Sequence, residues 1–265
     1  MHKFRSLTYF FFWLIAAWCS LFYSTCHAAE SPVRVFLQEN LDGEGKQLAL
    51  DPKLLALLRY FERGTGLKFE LTILPWKRAQ IETLDGKGII YGFSRSPERL
   101  KAYHFSSPVV TDRVWGITYG RPKPNYKSVE DLRGKIVSTG RGFSHGLEFE
   151  QARDVIFTVQ EDSASINARF KKLIAKRSDV MIWPVRGYER SVEVEAYINR
   201  IVVDDSNDPE LKGKHFDVTD RPLFYDTTHF ASAKGAYGDV IGKVDQAIVR
   251  GRKDGSLAKI LRGYH

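Results

Sequence analysis

Arg99 is the residue of this sequence with the clearest chemical use. It stands in GFSRSPERLKAYHFSSPV, residues 92–109, five positions after Ser94 and just past the Ser96–Pro97 pair. A guanidinium presents a planar fork of donors that fits a carboxylate with two parallel bonds, whereas lysine offers only a point charge. Taken alone, the fragment also reads as a surface arginine on a short helix, with Ser94 capping the preceding turn. Two other stretches offer matching chemistry. GRGFS, Gly140 to Ser144, is a glycine-rich turn that predicts entry into a helix, where backbone amides and the dipole favour an anion. Its Ser144 adds a hydroxyl and its Phe143 an aromatic surface. Trp76, in LPWKRA, supplies either a flat wall with one N–H donor or a core side chain between strand and helix.

Other chemistries lack their residues. The sequence holds no H-E-x-x-H, no G-x-S-x-G and no glycine-rich phosphate loop, and its seven histidines are scattered. His145 and His229 are the two with a place near the other candidates. No carboxylate is clearly placed as a tuned general acid. The expectation is a binding protein rather than an enzyme, with no metal and no cofactor.

These residues need elements to hold them. VRVFL (33–37) reads as a buried strand. Asp51 and Pro52 open a helix whose Leu54, Leu55, Leu57, Leu58 and Phe61 form an apolar stripe, ended by Gly64 or Gly66. LKFELTI alternates as a strand, WKRAQIETL is a short helix, GIIYGF a strand, ERLKAYH a helix, and RVWGITYG a strand. RPKPNY then interrupts the pattern with two prolines in four residues. A second α/β series follows: KIVST, VIFTV, DVMIW, IVVDD and THFASAK as strands, with helices between them, one starting at Pro184, and two at the end. Strands alternating with helices predict an α/β fold of mainly parallel sheets. The single restart predicts two lobes with a ligand cleft between them. We place residues 29–116 and 229–265 in one lobe and 117–228 in the other.

The 265 residues are 43% apolar and 13% aromatic, enough for a packed core. Lys3 and Arg5, the apolar run Tyr9–Phe22 and the small residues of STCHAAE give the layout of a secretory signal peptide, residues 1–28. The apolar run is short for a membrane span of about 20 residues. Removal of this segment takes both cysteines, Cys19 and Cys26, so the mature chain forms no disulfide and no thiolate site. It also lowers the formal net charge from +8 to +6, since Lys3 and Arg5 leave with it. The remaining basic residues are interleaved with acids, as in KKLIAKRSD. This excludes a nucleic-acid patch and leaves a mild preference for anionic ligands. The expected compartment is the periplasm.

The order ILPWKRAQIETL, a glycine-bounded strand, SPERLKAYHFSSPV, SVEDLRGKIVSTGRGFS and AIVRGRKDGSLAKIL resembles the family 3 periplasmic solute-binding proteins of polar amino-acid uptake. The resemblance spans residues 32–263 and rests on the order of its motifs rather than on any one of them. It implies a two-lobed fold of the periplasmic-binding-protein type, closing on a small anionic or amino-acid-like ligand. It also implies a monomer that delivers its ligand to the membrane permease of an ABC transporter, or reports it to a membrane sensor. By the same resemblance Arg99 binds the ligand carboxylate. Ser94 contacts the ligand, and Tyr91 and Gly92 offer the backbone of a strand end. Trp76 lies over the ligand, and Ser144 takes the place of a threonine on the same carboxylate, with Phe143 beside it. One departure stands out. In DVMIWPVRGYE, Pro184 falls where amino-acid receptors carry the acid that pairs with the ligand ammonium, and proline has neither charge nor N–H. Gln38 stands where an aspartate is common. The carboxylate half of such a site is kept and the ammonium half is lost, with Trp183 and Tyr188 as aromatic wall or as packing. The expected ligand carries a carboxylate and a flat or apolar body.

Overall fold

The computed structural model of the protein describes residues 31–42, 45–162 and 165–262, so the expected leader lies outside the described residues. From Val33 onward the described residues form one compact unit. Strand β1 (Val33–Gln38) explains its own composition. Val33, Val35 and Leu37 point into one core cluster and Phe36 into another, so both faces are covered and the strand reads as a continuous apolar run. Helix α1 (Pro52–Thr65) is opened by the Asp51 carboxylate, which accepts from Lys53 N–H, and closed by Gly66 in the left-handed region. Its stripe of Leu57, Leu58 and Phe61 packs on β1 beside the long helix α7 (Gly238–Lys253).

β1 pairs in parallel with β2 (Phe69–Leu74) and with β3 (Ile89–Phe93). The second half of the sheet repeats this with β6 (Ile136–Gly140), parallel to β7 (Thr158–Asp162) and to β8 (Val180–Val185). Two long antiparallel strands join the halves. β5 (Val110–Thr118) pairs with β8. β10 (Phe224–Ala233) pairs with β5 through residues 224–228, then with β3 and the short β4 (Tyr103–Phe105) through residues 229–233. Strand β9 (Asp217–Val218) adds to β5 at its far end. The strand order is β2-β1-β3-β10-β5-β8-β6-β7, with a register break at His229/Phe230 where β10 changes partner. Each half has its own apolar core, the second built around Trp115, Phe170 and Phe216 and around Val137, Phe149 and Phe224.

Two elements differ from the sequence reading. Pro184 does not open a helix. It lies inside β8 opposite Val114, at a point where β8 no longer pairs with β6 and its free edge tolerates the missing N–H. The next helix, α6, begins only at Ser191 and ends at Asn199. IVVDD is a π-helical continuation of α6, Arg200–Asp204, rather than a strand. Its β-branched run suits either state, and here Val202 and Val203 are buried in the same core as Trp115 and Phe170. Among the described residues no helix is long and apolar enough to cross a membrane.

Candidate functional site

The site is built where strands end. β3 stops at Phe93 and runs through Ser94 into the short helix α3 (Pro97–Ala102). Ser96 Oγ accepts from Arg99 N–H at 3.2 Å, and Pro97 occupies the first turn. The cap fixes the backbone so that the Arg99 side chain folds back over Phe93, its guanidinium 4.0 Å from the ring centroid. From there it donates to Ser94 O at 2.9 Å and, across to the other half of the sheet, to Gly142 O at 2.8 Å. Burial pushes the Arg99 pKa down to about 10, and Glu150 and Asp226 oppose the shift from a distance. The group therefore remains a cation at neutral pH. Helix α2 (Trp76–Leu84) brings the next wall. The Trp76 ring packs edge-on against Phe93 at 5.8 Å and Phe143 at 6.3 Å, so it is both core and cavity lining.

The second half supplies the GRGFS turn. Phe143 N–H donates to Gly140 O at 3.0 Å, closing the turn on itself. Helix α4 (Leu147–Ala152) starts three residues beyond Ser144, so the turn does not present helix-start amides. What it does present is the Ser144 hydroxyl, buried and without a hydrogen-bond partner among the described residues. Gly142 holds φ at +75° and lies so close to α2 that a Cβ there would meet Lys77 Cγ at 2.8 Å. Its carbonyl accepts from Gln80 Nε2 at 3.0 Å as well as from Arg99. Together with the Lys77–Glu161 ion pair at 3.2 Å, these contacts hold the turn against the first half. We expect Gly142→Ala to weaken ligand binding roughly tenfold, through strain at positive φ and the Lys77 clash, which cost about 1–3 kcal/mol. Titration calorimetry beside a thermal melt of the ligand-free protein checks this, because the closed contact suffers more than either core.

Between these walls lies a cavity of about 290 Å³ lined by Arg99, Ser94, Trp76, Tyr91, Gly92, Phe143 and Ser144. Seven of the eight candidate residues thus share one space. The eighth, Trp183, lines a neighbouring compartment, where its ring packs 5.7 Å from Phe170. Tyr188 stacks on Tyr197 at 5.3 Å, away from both. Pro184 lines both compartments, and no acid stands in its place.

The sequence reading missed the acids. Asp226, on β10, is buried beside the cavity, accepts from Ser94 Oγ at 2.5 Å and from Thr227 N–H at 2.7 Å. Burial lifts its pKa to about 7, and the nearby Asp112 adds to the lift against those two bonds. Asp112 itself is gripped by Arg186 in a two-pronged pair and by Thr228 Oγ1 at 2.8 Å. The signal was available: a lone aspartate inside an apolar strand, as in LFYDTTHF, is unusual. His145 is buried behind Phe143, with Nε2 2.6 Å from Thr139 Oγ1. Burial, then the charges of Arg169, Arg153 and Arg99, drive its pKa down to about 3, so it is neutral at physiological pH. The cavity therefore offers cationic, hydroxyl and aromatic surface together with three carboxyls, Asp51, Asp112 and Asp226, of which Asp226 has its pKa lifted to about 7.

No protein-family model and no curated protein matches the chain. Solved structures do. An amino-acid ABC transporter substrate-binding protein from Streptococcus pneumoniae bound to L-arginine is 17% identical, with a TM-score of 0.62, covering 87% of this chain and 92% of its own. A histidine kinase sensor domain with similarity to periplasmic binding proteins is 17% identical, with a TM-score of 0.62, over 88% and 96%. The ancestral amino-acid-binding protein AncCDT-1, a precursor of cyclohexadienyl dehydratase, is 20% identical, with a TM-score of 0.60, over 86% and 93%. This chain has the two-lobed periplasmic-binding-protein fold. The cavity at Arg99 lies between the two halves of the sheet, at the carboxyl ends of β1, β3 and β6, where open α/β sheets place their ligands.

Proposed function

We propose that this protein is an exported solute-binding protein that closes on a small carboxylate-bearing molecule and passes it to a membrane partner. The observation that carries this reading is Arg99. It is a cation held in an interlobe cavity by two carbonyls, with an unpartnered hydroxyl, Ser144, across the turn from it. Two carbonyls neutralise no charge, and an anion in the cavity would complete both groups. Micromolar affinity is about 8 kcal/mol. A bidentate arginine pair, a hydroxyl bond and the Trp76 and Phe143 rings suffice for it. Lobe closure turns on the crossing segments, residues 107–110 and 227–229, where the chain changes sheet. The working form is a monomer in the periplasm. The partner is the permease of an ABC transporter, and the solved sensor domain of the same fold makes a membrane sensor the alternative. The lack of an acid at Pro184 favours organic anions with a flat body over standard α-amino acids.

The test is a thermal-shift screen of carboxylates against their methyl esters and amides. The reading requires stabilisation by acids and none by the neutral analogues. Stabilisation only by lysine, arginine or histidine would overturn it.

A second reading has one observation in its favour. Asp226, beside the cavity, has its pKa lifted by burial to about 7, which suits a general acid working near neutral pH. Turnover of prephenate or arogenate by the purified protein would make it a dehydratase, in line with the similarity to AncCDT-1.

A further inference from the structure

The compartment under Trp183 contains a cation with no ion-pair partner among the described residues. Arg169, on the inner face of helix α5 (Ile166–Ile174), is 8% exposed. Its guanidinium lies 5.3 Å from the Trp183 ring centroid and makes one long bond, 3.4 Å, to Ile182 O. Its Nε is buried with no hydrogen-bond partner. The acid whose charge reaches it, Asp162, is already taken by Ser138 and Lys172. No ion pair joins Arg169 to a carboxylate among the described residues. A buried guanidinium left in this state is costly, and a folded chain retains it where something else supplies the anion.

The compartment has room for that anion. Its volume is about 430 Å³, and it shares Trp76, Phe143 and Pro184 with the cavity at Arg99. Its charged lining is Arg169, Arg141 and Lys77 against Glu39. Lys77 is paired with Glu161. His145, behind the shared wall, feels both Arg99 and Arg169, so the two cations flank one neutral imidazole. Between them the shared lining is Trp76, Phe143, His145 and Pro184 with Gln38 and Asn40.

We infer that the Trp183 compartment binds a second anionic group of the same ligand, so that the molecule held by Arg99 is elongated, flat in the middle and negatively charged at both ends. This rests on the reading that the Arg99 cavity takes a carboxylate. Arg169 is the second clamp, and Trp183 orients its guanidinium by stacking. The lost acid at Pro184 fits the same picture, since an anionic end would be repelled by a carboxylate there.

Calorimetric titration of the mature chain with three probes tests this: 3-phenylpropionate, 3-(4-carboxyphenyl)propionate and 3-(4-aminomethylphenyl)propionate. The expected result is at least tenfold tighter binding of the para-carboxylate than of phenylpropionate. Arg169→Gln removes that advantage and leaves phenylpropionate unchanged, while Arg99→Ala weakens both. The ligand-free Arg169→Gln protein melts no lower than wild type, because an uncompensated buried charge has gone. Equal binding of the two acids, a preference that survives Arg169→Gln, or tightest binding of the ammonium probe overturns the second clamp alone. Binding of phenylpropionate that ignores Arg99→Ala, or of none of the probes, overturns the carboxylate reading and this inference with it. If Arg169→Gln fails to fold, Arg169→Lys decides: the para-carboxylate advantage shrinks at least threefold, and an unchanged advantage overturns the inference.

Discussion

Arg99→Ala is expected to weaken binding of the protein's carboxylate ligand by on the order of 10²–10³-fold while leaving the fold intact. Truncating one partner of a buried charge-assisted pair costs about 2–5 kcal/mol, and each 1.4 kcal/mol is a tenfold change. Arg99 carries this load because its fork does two tasks. One edge is anchored on Ser94 O and Gly142 O, and the remaining donors are free for the ligand. Stability suffers less than binding. The Gly142 carbonyl keeps its bond from Gln80, and the Phe93 ring keeps its stack on Phe105. Arg99→Lys restores little, since a point charge cannot hold both carbonyls and a carboxylate in one plane. Calorimetric titration with a circular-dichroism melt of the free protein separates the two effects. An affinity within threefold of wild type would remove Arg99 from the site.

The second large effect is on pH dependence. Asp226 titrates near 7 in the folded protein and near 3.8 when unfolded, so between those values the folded state holds a proton that the unfolded state has lost. Its contribution is therefore fully present below about pH 4, shrinks as pH rises towards 7, and is gone above. Three pH units correspond to about 4 kcal/mol, an upper bound. His145 and His229 work in the opposite sense. Burial holds them neutral, with pKa values near 3 and near 4, so each costs stability as pH falls below about 6.5. The wild-type profile mixes these terms, and the difference from Asp226→Asn isolates one. Asparagine keeps a side-chain oxygen for Ser94 and does not ionise. The variant is expected to melt several degrees above wild type at pH 8, to lose more than half of that advantage by pH 5 and nearly all of it by pH 4. A difference constant across pH 5–8 would mean that Asp226 is ionised throughout.

How far the sequence revealed all this depended on whether each signal was local. The Ser96–Pro97 start, the Asp51 cap and a glycine stop are rules about neighbours; the first two are found as read, and of Gly64 and Gly66 it is Gly66 that closes the helix. The gathering of Arg99, Trp76 and GRGFS was legible only through their order along the chain. The second bond of Arg99, to a carbonyl 43 positions away, had no local mark. Asp226 was lost because the last long strand was read from Thr228, which put the aspartate in a loop, whereas β10 begins at Phe224. Arg169 was lost for the opposite reason. In INARFKKLIAKR it looks like one more solvated charge on an amphipathic helix, and only the fold shows that its side chain faces inwards. The helix read over LEFEQAR starts at Leu147 as expected, with Gly146 at φ +92° against Asp226 just before it, but that leaves Ser144 three residues short of the helix-start amides.

The central claim is that an anion between the lobes completes Arg99. The most direct test is to purify the mature protein gently from its host compartment, release what is bound with denaturant, and identify it by mass spectrometry. The expected result is a small molecule with at least one carboxylate and a flat body, present near one per chain and absent from Arg99→Ala purified in parallel. A neutral or purely cationic molecule, or one retained equally by Arg99→Ala, would contradict it.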